Sequence, residues 1–145
     1  MSLFSLALTA LLAGTPTGPQ HFTLAAHFEP AARPGQPGAV AVTFTGTDPE
    51  IHINEEPAPR LKLSTVETVL VDKQPPPSGR APDFDPETAR YLDIRKPVRF
   101  PVAVAAGAAK GDQNVKATVI YFYCSKREGW CRRGSTEIEV PILVK

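Results

Sequence analysis

Alternation of apolar and polar positions is the strongest signal along the chain. Val40, Val42 and Phe44 alternate with small or polar partners, and a period of two sets such residues on one face of a β-strand. The same rhythm recurs at Phe22, Leu24 and Phe28, at Ile51 and Ile53 around His52, and at Leu61 and Leu63. Val69 and Val71 continue that last strand or form their own. Turn residues separate these runs: Glu29-Pro30, Arg33-Pro-Gly-Gln-Pro-Gly38 and Glu55-Glu56-Pro57.

The last third carries the clearest pattern. Val98, Phe100, Val102 and Val104 alternate, and Gly107 to Gln113 turns the chain. Val115 to Tyr123 is a β-branched and aromatic run suited to a central strand. Ile138, Val140, Ile142 and Val144 close the series, with Glu137 and Glu139 facing out. Between Lys73 and Pro97 the alternation is lost. Pro75-Pro76-Pro77 favours extended backbone outside any ladder. Asp85-Pro86-Glu87 predicts a single helical turn, with Asp85 as N-cap and Pro86 in the first helical position. A connection of this length in a small domain is expected to be functional or mobile. Seven or eight short strands at this spacing predict an all-β chain built as an immunoglobulin-like β-sandwich.

Composition sharpens that picture. Sixteen prolines and ten glycines in 145 residues leave little room for long helices. Sixteen Lys and Arg oppose fifteen Asp and Glu, a formal charge of +1. That balance argues against a nucleic-acid binder, which carries a clear basic excess. Leu3 to Ala13 is almost wholly apolar, and the first charged side chain is Glu29. A run of about eleven apolar residues is too short to span a bilayer but fits the core of an export signal. Residues 1–19 are therefore expected to be a signal peptide with a short linker from Pro16 to Pro19. Residues 20–145 would form one domain in the periplasm or cell envelope, not membrane-spanning once the signal is removed.

Two cysteines in an exported chain most often pair with each other. Cys124 ends the strong strand and Cys131 starts the return, with Gly129 giving freedom to turn. Such a hairpin brings the two within reach of a disulfide. Closing so short a loop stabilises by only roughly 2–3 kcal/mol in the chain-entropy model. A reactive role is thus at least as plausible as a structural one. Lys126, Arg127, Arg132 and Arg133 surround the pair against a single Glu128, and nearby cations favour the thiolate that attacks in disulfide exchange. Structural zinc is disfavoured, since His21, His27 and His52 lie far from both cysteines in sequence. His52, beside Asn54 and Glu55, reads as a packed side chain rather than a metal ligand or base. Trp130 reads either as a partner anchor or as packing against its own loop. Tyr121 and Tyr123 read as core.

Three stretches together resemble a known family. They are Gln20 to Thr45 with Pro34-Gly35; Ile51-His52-Ile53-Asn54 followed by Pro57 and Leu61-Lys62-Leu63; and Phe100-Pro-Val-Ala-Val104 through Tyr121, Cys124, Gly129, Cys131 and Val140-Pro141. This order resembles the N-terminal domain of the thiol:disulfide interchange protein DsbD, over most of residues 20–145. The resemblance implies an immunoglobulin-like periplasmic domain that passes electrons through its cysteine pair to thioredoxin-like protein partners, without a cofactor. By position, Cys131 would engage the partner and Cys124 would resolve the mixed disulfide. The chain departs from the family in having six residues between the cysteines, and Arg132-Arg133-Gly134 where a Tyr-Pro-Pro is usual. Phe84, in Asp83-Phe-Asp85, is the candidate for the family's shielding cap. A domain of this kind standing alone would draw its electrons from a separate protein. The rival expectation is an exported binding or assembly module in which the disulfide is inert and Trp130 or the proline-rich loop meets a partner. A plain scaffold role is the third.

Overall fold

The computed structural model describes residues 20–76 and 85–145. These form eight strands and, among the described residues, no helix: β1 Phe22–Glu29, β2 Pro37–Gly46, β3 Ile51–Ile53, β4 Arg60–Leu63, β5 Leu70–Asp72, β6 Val98–Val104, β7 Gly111–Ser125 and β8 Trp130–Val144. One sheet runs β1-β2-β6-β5. In the other, β7 pairs β8 along one edge and β3 and then β4 along the opposite edge. All these strand pairs are antiparallel. The expected all-β sandwich is therefore present.

The period-2 residues of both sheets meet between them. Val40, Val42 and Phe44 of β2 and Phe100, Val102 and Val104 of β6 come from one side. Val115, Ala117, Val119 and Tyr121 of β7 and Ile138, Val140, Ile142 and Val144 of β8 come from the other. All are buried in a single cluster. Each large aliphatic side chain withdrawn from water contributes about 1.5–3 kcal/mol. At one end the two layers are joined by aromatic edges, with Tyr121 5.8 Å from Phe22 and 5.3 Å from Phe44 between ring centroids.

Three sequence-based boundaries move. Leu61-Leu63 and Leu70-Asp72 are separate strands in opposite sheets. The central strand reaches further than Val115 to Tyr123, because its ladder with β8 extends over fifteen consecutive pairs from Gly111↔Val144 to Ser125↔Trp130. The long connection before β6 is only partly irregular. Asp85 does start a turn: its side chain accepts from Glu87 N at 3.0 Å, and its carbonyl accepts from Ala89 N at 3.0 Å. The chain then runs beside β3, with Glu55 N donating to Arg90 O at 2.7 Å and Leu92 N donating to Ile53 O at 2.9 Å.

The outer edge of β4 is closed by a side chain instead of a strand. Leu61 N donates to Gln74 Oε1 at 3.0 Å, and Gln74 Nε2 donates to Leu61 O at 2.8 Å. This amide satisfies groups that would otherwise template pairing with another chain. Cis peptide bonds precede Pro30 and Pro57, where β1 ends and where β3 breaks from β4. Pro30, Pro34 and Pro57 lie in turns or bends as read from sequence, whereas Pro37 and Gly38 already belong to β2, paired with Ala103 and Val102 of β6.

Gly134 explains one local departure in composition. It lies opposite Tyr121 in the β7–β8 ladder, and a Cβ built there would stand 2.5 Å from the Tyr121 ring. The phenol ring therefore lies across the bare backbone of β8, a packing only glycine permits. Gly134→Ala is expected to destabilise the domain by about 1–3 kcal/mol through overpacking. Urea unfolding reads this directly, and the cost should shrink in a Tyr121→Leu background. An unchanged midpoint would show that the ring is free to move aside.

Candidate functional site

Strict alternation along β7 sorts its side chains onto two faces. Val115, Ala117, Val119, Tyr121 and Tyr123 point into the sandwich, so Phe122 and Cys124 point outward. Cys124 nevertheless has no exposed surface. Asn54, whose Oδ1 lies against the Cys124 sulfur, and His52 across the ladder are its neighbours on this face.

Cys124 and Cys131 are directly opposed in the ladder, with Cα atoms 4.0 Å apart, and they form the expected disulfide. They do not flank the turn. Pairing continues to Ser125↔Trp130, leaving Lys126 to Gly129 as the loop. Ser125 holds that loop: its hydroxyl accepts from Glu128 N at 3.2 Å and its carbonyl from Gly129 N at 2.9 Å. Gly129 takes φ +72°, a left-handed conformation that costs glycine little. The turn is thus fixed by its own hydrogen bonds, independently of the disulfide.

The two sulfurs have unequal surroundings. Cys131 is partly exposed, whereas Cys124 is enclosed. His52 lies across the ladder from Cys124, and its ring stacks on Tyr91 with centroids 4.9 Å apart. Asn54 is fully buried, joins the sheet through its N–H to Phe122 O at 2.8 Å, and bridges to Tyr91 on its other side. Its Oδ1 is 3.2 Å from Cys124 Sγ, and its Nδ2 is buried with no hydrogen-bond partner. Burial, followed by the negative charges of Glu87 and Asp85, raises the Tyr91 phenol above its ordinary pKa, so that it stays neutral. Its hydroxyl donates to Pro86 O at 3.3 Å.

The basic residues of the hairpin are held by partners of their own. Lys126 sits over the Tyr91 ring at 5.2 Å, and Arg132 over Trp130 at 4.2 Å. Arg127 reaches Asp48 at 3.7 Å. Arg133 lines a shallow groove with Lys62, Lys116, Glu137 and Glu139 on the outer face. Trp130 is on the opposite face from the disulfide: it packs edge-on to Tyr123 at 5.8 Å and beside His21 at 5.7 Å, and its Nε1 donates to Glu128. Phe84 lies outside the described residues, as does the 1–19 segment. Among the described residues no three His, Cys, Asp or Glu side chains gather to hold a metal, and no helix is long and apolar enough to cross a membrane.

Tyr91 carries no sequence signal for this position, because it falls where the alternation is lost. Asn54 was legible only as a residue after a short strand. Both join the cysteines through the pairing of β3 with β7 and of residues 90–92 with β3.

Since the ladder continues past the cysteines and the turn is self-supporting, the disulfide adds little to the fold. Replacing both cysteines by alanine is expected to leave a folded domain that loses at most about 2–3 kcal/mol. Urea unfolding followed by near-ultraviolet circular dichroism measures this. Loss of the native spectrum would make the bond a structural necessity. Comparison of the chain with protein-family models, with curated proteins and with solved structures gives no match, so the site is read from its own geometry.

Proposed function

We propose that the protein is an exported thiol–disulfide exchange domain acting through Cys124 and Cys131. The observation that carries this reading is the unequal exposure of two directly opposed cysteines. A partner thiolate must approach in line with the S–S bond, and only the sulfur open to solvent can receive it. Of the two residues, Cys131 is the one with surface exposed to solvent. Attack there breaks the bond to Cys124, which leaves as a thiolate; the partner's second thiolate then releases Cys131, and Cys124 resolves the mixed disulfide formed when the reduced pair passes its electrons to the next protein. These are the roles that the resemblance to the DsbD N-terminal domain assigns. Thioredoxin-like proteins are the fitting partners, since they present one reactive thiolate beside a resolving one.

The topology supports the finer fold reading as well. In immunoglobulin constant-type lettering, β1-β2-β6-β5 corresponds to ABED and β8-β7-β3/β4 to GFC. Ala32 also bridges Val144 of β8 in parallel, tying the chain after β1 to the other sheet. Residues 1–19 would deliver this sandwich to the periplasm or cell envelope, where a disulfide persists.

Two measurements test the proposal. Equilibration of the 20–145 chain in glutathione or dithiothreitol buffers is expected to give a potential above roughly −250 mV, in the range of exchange proteins. A value below roughly −300 mV would mark an inert staple and leave a binding or assembly module as the function. After reduction, a limiting pulse of iodoacetamide is expected to label Cys131 well before Cys124, as read by peptide mass. Equal labelling would remove the assignment of roles.

A further inference from the structure

Asn54 is the least satisfied polar side chain near the site. It has no exposed surface, and its Nδ2 has no hydrogen-bond partner. Its Oδ1 faces Cys124 Sγ at 3.2 Å. In the disulfide that sulfur carries no hydrogen, so the contact is not a hydrogen bond. The oxidised domain therefore buries an amide head whose Nδ2 has no partner and whose Oδ1 accepts no hydrogen bond among the described residues. Leaving such a group unpaired in a dry environment is costly, and proteins seldom tolerate it without a reason.

Reduction changes this. A partner dithiol supplies two electrons: its first thiolate attacks Cys131 Sγ, the Cys124–Cys131 bond breaks, and Cys124 departs as a thiolate. The second partner thiolate then attacks the partner sulfur of the mixed disulfide. Cys131 is released, and the partner is oxidised to its own disulfide. Two protons are taken up, one at each cysteine. The new Cys124 S–H lies beside Asn54 Oδ1 at hydrogen-bonding distance for sulfur, and it can donate there without any movement of the backbone. The amide thus gains in the reduced state a bond it lacks in the oxidised state.

We infer that Asn54 is a positioning residue that sets the redox poise of the cysteine pair, by favouring the dithiol over the disulfide. It holds the resolving Cys124 in the reduced form while leaving Cys131 as the open thiol. The rings of His52 and Tyr91 are stacked on each other, the Tyr91 hydroxyl donates to Pro86 O, and among the described residues Asn54 is the side chain whose polar atom lies against Cys124 Sγ. The β3 ladder fixes Asn54, because its N–H is bonded to Phe122 O, two residues before Cys124. The inference rests on the exchange reading above, but its test is separable from it.

The experiment is equilibration of wild type, Asn54→Leu and Asn54→Ala with glutathione or dithiothreitol, the oxidised and reduced fractions being read by thiol labelling. Leucine fills a similar volume without polar atoms, and alanine covers the case in which leucine does not fit. Both changes remove the orphaned amide from the oxidised state and the S–H acceptor from the reduced state. The equilibrium constant for reduction is expected to fall about tenfold, which is about 30 mV toward the reducing side for this two-electron couple. A change below about threefold, or one toward the oxidising side, overturns the role of Asn54. A merely structural role would shift the unfolding midpoints of the oxidised and reduced forms equally, leaving the potential in place. The wild-type potential tests the exchange reading, and the difference between wild type and variant tests Asn54, so either can fail alone.

Discussion

The β7–β8 ladder is the interaction on which the other features depend. Its fifteen pairs fix a register in which Val115, Ala117, Val119 and Tyr121 of β7 and Ile138, Val140, Ile142 and Val144 of β8 face the opposite sheet. A slip of one residue would turn the whole set outward. The same register opposes Cys124 to Cys131 and Tyr121 to Gly134. The disulfide is thus a consequence of strand pairing that the hydrophobic core already enforces.

The environment of the pair follows from which face it occupies. An outward position on a sheet is ordinarily solvated, and in this register Cys124 would be as open as Cys131. On the β3 side of β7, the buried Asn54 side chain lies 3.2 Å from the Cys124 sulfur, and His52 stands across the ladder from it. Cys124 is enclosed, and its neighbour Cys131 on β8 is partly exposed. The unequal exposure of two chemically identical residues thus follows from their positions on β7 and β8.

The charged groups around the hairpin contribute less than their number suggests. Lys126 and Arg132 rest on aromatic rings, and Arg127 leans toward Asp48. Exposed pairs and cation–ring contacts of this kind stabilise weakly, but they do fix where the side chains point. The same holds on the other sheet, where Glu29 is held below the ordinary carboxylate range by hydrogen bonds from Arg99 and then His27. Electrostatics here orders surface side chains, and the polarity that reaches the buried sulfur comes from a neutral amide.

Much of the fold was legible in the amino-acid pattern. Period-2 alternation at Val40 to Phe44, Val98 to Val104, Val115 to Tyr121 and Ile138 to Val144 marks the four principal core strands, because a pleated strand presents alternate side chains to one face. The turn chemistry of Gly129 and the spacing of the cysteines made their pairing legible too. Sequence could not separate β4 from β5 into different sheets, since two short apolar runs carry no information about which neighbour they choose. Nor could it show that Trp130 turns away from the disulfide, which follows from counting the register outward from Ser125. Asn54 and Tyr91 became part of the site only through long-range backbone pairing across Ile53 and Leu92. Local sequence determines which residues alternate and where the chain turns, because those depend on near neighbours. Tertiary structure alone decided which polar group lies against a buried sulfur, because that contact joins residues seventy positions apart.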